Sequence, residues 1–142
     1  MFRVLKMVYI SLFIAACSND IEKSKEDCGE NTVCTQNYVT IGITIKDNSG
    51  VKIVLDSYKV IDMATKEDLT LPYSIEEFEN YRNTGYYPIF SDAYRLQYQN
   101  SKTTISFIGY ISENEVITEE FIVGADCCHV SLISGNTEIV LD

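Results

Sequence analysis

The chain predicts a mainly β domain: an antiparallel β-sandwich of about seven strands with one short helical insertion. Three observations lead there. Apolar residues alternate with a period of two, most clearly at Val39, Ile41, Ile43 and Ile45. Turn-forming clusters punctuate the chain at intervals of about ten residues. Only one segment, Ser74 to Gly85, carries helix start and stop signals, so strands do not alternate with helices as a parallel sheet requires.

The elements follow in order. Tyr38 to Lys46 is the first strand, with four β-branched residues on one face and Thr40, Gly42, Thr44 and Lys46 on the other. Asp47-Asn48-Ser49-Gly50 is a turn, and Val51, Ile53 and Leu55 restart the alternation to complete a hairpin. Asp47 to Gly50 lacks the alternate-position acids and distal glutamate of a calcium loop. Tyr58 to Asp62 is a third strand, closed by a turn at Thr65 to Asp68. Ser74 followed by Glu77 is a capping box, and Gly85 supplies a left-handed stop. Ile75, Phe78 and Tyr81 or Arg82 lie along one side of that helix. Thr103 to Ser112 and Val116 to Val123 form strands around a turn at Glu113-Asn114-Glu115. Cys128, Val130 and Leu132 precede a Gly135-Asn136 turn, and Ile139 and Leu141 make the last strand.

From the helix to the returning β pattern the chain crowds Phe78, Tyr81, Tyr86, Tyr87, Phe90, Tyr94 and Tyr98. Such rings either fill out the core or form a contact surface, because tyrosine presents large area at low entropy cost. Tyr86, Tyr87 and Tyr94 are the candidate binding residues, with Tyr86 and Tyr87 expected exposed beside Pro88.

Five cysteines organise the rest. Cys17 follows a basic start (Arg3, Lys6) and an apolar run from Met7 to Ala16 that ends Ile14-Ala15-Ala16. This is a secretory signal rather than a membrane span. Its end resembles the lipobox of bacterial lipoproteins. The resemblance implies lipidation of Cys17, cleavage after residue 16, and a membrane partner reached through the lipid anchor alone. Residues 17–27, with one apolar side chain among SNDIEKSKED, read as a flexible tether, and 28–142 as the domain. Ser18 after the cysteine favours the outer membrane, and the acids that follow resemble export signals of Bacteroidota surface lipoproteins.

Cys28, Cys34, Cys127 and Cys128 are an even set, which in an exported chain reads as disulfides. A bond between the adjacent Cys127 and Cys128 requires a strained ring. Cys28 and Cys34 therefore each reach one of that pair, in either order. Neighbours on a strand face apart, so both bridges need a bulge or strand end at Cys127-Cys128. The alternative is a metal-handling site at Cys127, Cys128 and His129, although the six-residue spacing of Cys28 and Cys34 is poor for zinc.

Removing residues 1–16 leaves 9 basic against 21 acidic residues, a formal charge of −12, which argues against nucleic acid as a partner. Motifs for an activated serine, a zinc hydrolase or a phosphate loop do not occur. Glu76-Glu77 and Glu119-Glu120 are adjacent pairs on solvated surface, unsuited to flank one glycosidic bond. The expectation is therefore a non-enzymatic protein with no cofactor.

Cys34-Thr35 before the Ile-rich strand, Leu55-Asp56-Ser57-Tyr58, and Gly124 to Val130 before Ser134-Gly135 carry a further resemblance. Over residues 34–142 the chain resembles uncharacterised small lipoproteins of Bacteroidota, themselves likened to transthyretin-like or carboxypeptidase-regulatory-like sandwiches. That implies an immunoglobulin-like or prealbumin-like fold and no reaction. The functional expectation is an accessory or adhesion-type envelope lipoprotein that binds a protein or glycan.

Overall fold

A computed structural model describes residues 28–142. The expected signal peptide (1–16), the expected lipidation site Cys17 and the expected 17–27 tether lie outside the described residues. Within them seven strands form two sheets, accompanied by one α-helix.

Strand β1 (Thr40–Asp47) follows the expected alternation, and Ile43 and Ile45 are fully buried. It is the centre of a three-stranded sheet. Its first half pairs antiparallel with β3 (Tyr86–Ser91), and its second half pairs parallel with β7 (Glu138–Leu141). The second sheet is antiparallel throughout, in the order β2 (Ser57–Asp62), β4 (Ser101–Ile111), β5 (Asn114–Ala125), β6 (Val130–Ser134). The parallel β1–β7 pair departs from the expected all-antiparallel arrangement. Its cause is the crossing at Gly135, which carries the chain from β6 in one sheet to β7 in the other. Gly135 has φ 127°, and a Cβ there would lie 2.4 Å from the buried Phe121 ring. Only glycine meets both demands.

Two elements differ from the sequence expectation. Residues 51–55 return along β1 for only two backbone bonds, Asp47 N to Val51 O at 2.8 Å and Ile53 N to Ile45 O at 3.0 Å. Beyond that point β3 already occupies this edge of β1, so the chain leaves for the other sheet. Conversely Tyr86–Ser91 is a strand. Its Pro88 has no N–H to donate, which suits the edge position that β3 holds.

Helix α1 (Ile75–Thr84) begins with the expected capping box. Glu77 N donates to Ser74 Oγ at 3.2 Å, and Ser74 N donates to Glu77 Oε2 at 2.7 Å. Gly85 ends it at φ 69°, its N–H bonded to Tyr81 O. Phe78 and Tyr81 pack on the core, whereas Ile75 is exposed and does not share that face.

Both sheets contribute to one core, including Ile43, Tyr87 and Ile89 from the first and Val60, Phe107 and Phe121 from the second. At its aromatic centre Tyr58 stacks on Phe107 at 5.4 Å and on Tyr73 at 5.6 Å. Tyr58 is 2% exposed and its hydroxyl has no partner among the described residues. Burial pushes that phenol far above its usual pKa. An unsatisfied buried hydroxyl costs about 1–3 kcal/mol. Tyr58→Phe keeps the ring and should therefore raise stability by about 1 kcal/mol, read as a higher urea midpoint at unchanged slope.

Asp62, 1% exposed, closes the end of β2. It accepts hydrogen bonds from Tyr98 Oη at 2.7 Å, Thr103 Oγ1 at 3.0 Å and the backbone N–H of Ala64 and Thr65. Burial alone would push its pKa up, but these four donors outweigh it and hold the carboxyl below its ordinary value.

Candidate functional site

β5 ends at Ala125 and β6 begins at Val130, so Cys127 and Cys128 fall in the connecting turn. Asp126 shapes that turn. Its Oδ1 accepts from Cys128 N at 2.6 Å and His129 N at 2.8 Å, and these backbone donors hold its carboxyl below the usual range. Freed from strand alternation, the adjacent cysteines reach different partners: Cys28 bonds Cys127, and Cys34 bonds Cys128. The order that sequence left open is thereby decided, and the strand end that two bridges required is present. Residues 28–38 become a strap stapled across the end of the sandwich.

The metal alternative at Cys127, Cys128 and His129 is corrected by the same finding. Both sulfurs are consumed in disulfides, leaving no thiolate to ligate an ion. A cysteine–histidine nucleophile pair fails for the same reason.

His129 has other partners. Its Nδ1 lies 2.8 Å from Asp92 Oδ2, and its Nε2 lies 2.7 Å from Thr35 Oγ1. Asp92 stands at the start of a single 3₁₀ turn, Asp92–Tyr94, directly after β3. Its Oδ2 also accepts from Val39 N and its Oδ1 from Val130 N, both at 2.9 Å. Burial tends to raise the Asp92 pKa, but the bond from His129 and the two backbone donors prevail and keep it ionised and below its usual value. A carboxylate can only accept, so Nδ1 carries the proton and donates to Asp92. In that tautomer Nε2 is free to accept from the Thr35 hydroxyl. One carboxylate thus ties Val39 just after the strap, the first residue of β6 and the imidazole together, and the imidazole in turn holds Thr35 of the strap.

Beside this chain opens a cleft of about 240 Å³, lined by Thr35, Gln36, Asn37, Tyr38, Arg95 and His129 among others. Arg95 donates from Nη1 to Cys127 O at 2.6 Å and makes no salt bridge among the described residues. Tyr38 is 66% exposed. Its Oη is nonetheless fixed, 2.9 Å from Ser91 Oγ and 3.1 Å from Ala93 N. A larger hollow of about 440 Å³ on the outer face of β4 and β5 is lined by Lys102, Thr103, Thr104 and Ile122, without a comparable convergence of donors. The cleft therefore offers a cation, an imidazole, a hydroxyl, two side-chain amides and a pinned aromatic ring.

The tyrosines singled out from sequence lie elsewhere in role. Tyr87, expected exposed, is fully buried. Its Oη accepts from Leu55 N at 2.9 Å and donates to Ile53 O at 3.3 Å, so the ring is a core spacer holding the 53–55 segment. Tyr86 is half-buried and its ring covers Gly42, where any Cβ would collide with it. Tyr94 is half-buried, stacks on Phe90 at 5.5 Å and donates to Leu69 O at 3.0 Å. The expected exposure of the Tyr86-Tyr87 pair is corrected: a strand at a sheet edge turns one of the two rings into the core. Sequence reading missed Thr35, Asp92, Arg95 and Tyr38. Asp92 and His129 are 37 residues apart and Thr35 and His129 are 94 apart, so no local pattern joins them.

Asp62, Asp92 and Asp126 all have folded pKa values below their ordinary ones. Their contribution to stability is present above the unfolded carboxylate pKa of about 4 and is lost as pH falls through the folded values. Thermal melts should be nearly level from neutrality to about pH 5 and drop steeply below about pH 4. Asp62→Asn and Asp92→Asn should each flatten that acid drop.

Compared with protein families, curated proteins and solved structures, the chain matches no family model, no curated sequence and no solved fold.

Proposed function

We propose that this chain is an exported lipoprotein, acylated at Cys17 and held on the outer membrane, whose domain is a non-enzymatic module for binding a protein or glycan. Its two sheets are read as an immunoglobulin-like or prealbumin-like sandwich of the kind displayed by small Bacteroidota lipoproteins. The two disulfides support an oxidising compartment. The observation that carries the binding reading is the cleft at the stapled end, where an unpaired arginine and an exposed, pinned tyrosine line one opening. Membrane attachment is tested by labelling with a fatty-acid analogue. Label must enter the wild-type chain and be absent from Cys17→Ala. Partner binding is tested by crosslinking in the native envelope from a photoreactive residue at Gln36. Absence of any crosslinked species would contradict it.

The Asp92–His129–Thr35 order favours a second reading, acyl transfer with Thr35 as nucleophile. Thr35 Oγ1 would add to an ester carbonyl while its proton passes to His129 Nε2 and on to the leaving alkoxide. Water would then release the acyl group by the same route. Hydrolysis of p-nitrophenyl acetate decides: turnover lost in Thr35→Ala and His129→Gln supports this reading, and a rate equal to buffer supports the first.

A further inference from the structure

We infer that the cleft beside the Cys34–Cys128 bridge binds a carboxylate-bearing sugar, clamped through Arg95 and stacked on Tyr38. This rests on the binding-module reading and names the ligand class of the same cleft.

The first ground is charge. The chain carries 21 acidic against 11 basic residues, yet the half-buried Arg95 has no carboxylate partner among the described residues. Fully buried arginines are almost always paired, and Arg95 is partly withdrawn from solvent without such a partner. Asp92 also lines the cleft, but its oxygens are taken by Val39 N, Val130 N and His129 Nδ1, and Asp126 is held by two backbone N–H groups, so neither carboxylate pairs with Arg95. Guanidinium carries five donors in a fixed fork, and among the described residues only the bond from Nη1 to Cys127 O occupies it. The remaining fork matches one carboxylate in bidentate geometry.

The second ground is the ring beside it. Tyr38 leaves most of its surface open while its hydroxyl is held at both Ser91 and Ala93. A ring immobilised before binding loses little entropy when a ligand stacks on it. The third ground is size. About 240 Å³ falls below the volume typical of larger ligands, about 300–1,000 Å³. It suits one sugar ring rather than a peptide segment. The exposed amides of Gln36 and Asn37 on the rim supply both donors and acceptors for ring hydroxyls.

The test is calorimetric titration of the full chain in detergent with glucuronate, glucose and acetate, each variant being checked by its melting temperature. Glucuronate should bind at least about tenfold more tightly than either glucose or acetate, since each lacks one of the two contacts. Arg95→Gln should weaken glucuronate by about tenfold or more. Arg95→Lys, which keeps charge but loses the fork, should fall between. Tyr38→Phe keeps the ring but removes the hydroxyl that pins it, so it should weaken glucuronate less than Tyr38→Ala, which should lose binding. Glucuronate affinity unchanged in folded Arg95→Gln overturns the inference. So does equal binding of acetate or glucose, or no saturation by glucuronate at all. A flat titration alongside positive envelope crosslinks removes the acidic-sugar assignment and leaves the binding-module reading standing, in favour of a protein partner.

Discussion

Replacing all four domain cysteines (Cys28, Cys34, Cys127, Cys128) with alanine should cost about 7 kcal/mol in the chain-entropy model, comparable to the whole stability of many domains. The two bridges are not equivalent to two independent crosslinks. Cys34–Cys128 spans 94 residues and Cys28–Cys127 spans 99, so each closes nearly the same long loop. Whichever remains after a single removal still closes that loop. The lost bridge then counts only for the short ring between neighbouring crosslinks. Either pair alone, Cys28→Ala/Cys127→Ala or Cys34→Ala/Cys128→Ala, should therefore cost only about 2 kcal/mol. The quadruple variant should exceed the sum of the two pairs by roughly 3 kcal/mol. Urea denaturation followed by circular dichroism measures all three. Strict additivity would mean that the bridges close separate loops, contrary to the pairing described here.

Asp92→Ala should cost about 3 kcal/mol, the range expected when a charged hydrogen-bonding centre is deleted and its donors are left behind. It strands the N–H groups of Val39 and Val130 and frees the His129 ring, so the damage reaches the strap, β6 and the cleft at once. Asp92→Asn keeps one acceptor oxygen and should cost less. Beyond the loss in melting temperature, hydrogen exchange should accelerate at Val39 and Val130, while β4 and β5 remain protected. Uniform loss of protection would place Asp92 in the global fold rather than in this one corner.

How much of this was legible depends on distance along the chain. β1 was readable because one face of it is buried and the other is wet, which writes itself into alternate positions. The α1 capping box was readable because both partners lie within one turn. Tyr86–Ser91 was not, since five of its six residues are buried and a continuous apolar run carries no alternation. The 51–55 return misled for the opposite reason: it alternates, but β3 takes the edge it would need.

At the candidate site, the cysteines announced a staple through their number and adjacency, and the geometric demand for a strand end at Cys127-Cys128 was met. Their order depended on how the strap lies across the end of the sandwich, which no spacing encodes. Asp92, Thr35 and Arg95 were invisible because each is an ordinary polar residue in its own neighbourhood. They become a site only when the sheet topology lays the start of β6, the end of β3 and the strap side by side.

The stapled end is the foundation of the cleft and of everything proposed for it, and its connectivity can be read directly. The oxidised chain, digested without reductant and fragmented by electron transfer so that the backbone breaks between the adjacent cysteines, should yield Cys28 linked to Cys127 and Cys34 linked to Cys128. Recovery of Cys28 joined to Cys34, of Cys28 joined to Cys128 with Cys34 joined to Cys127, or of four free thiols would contradict the account.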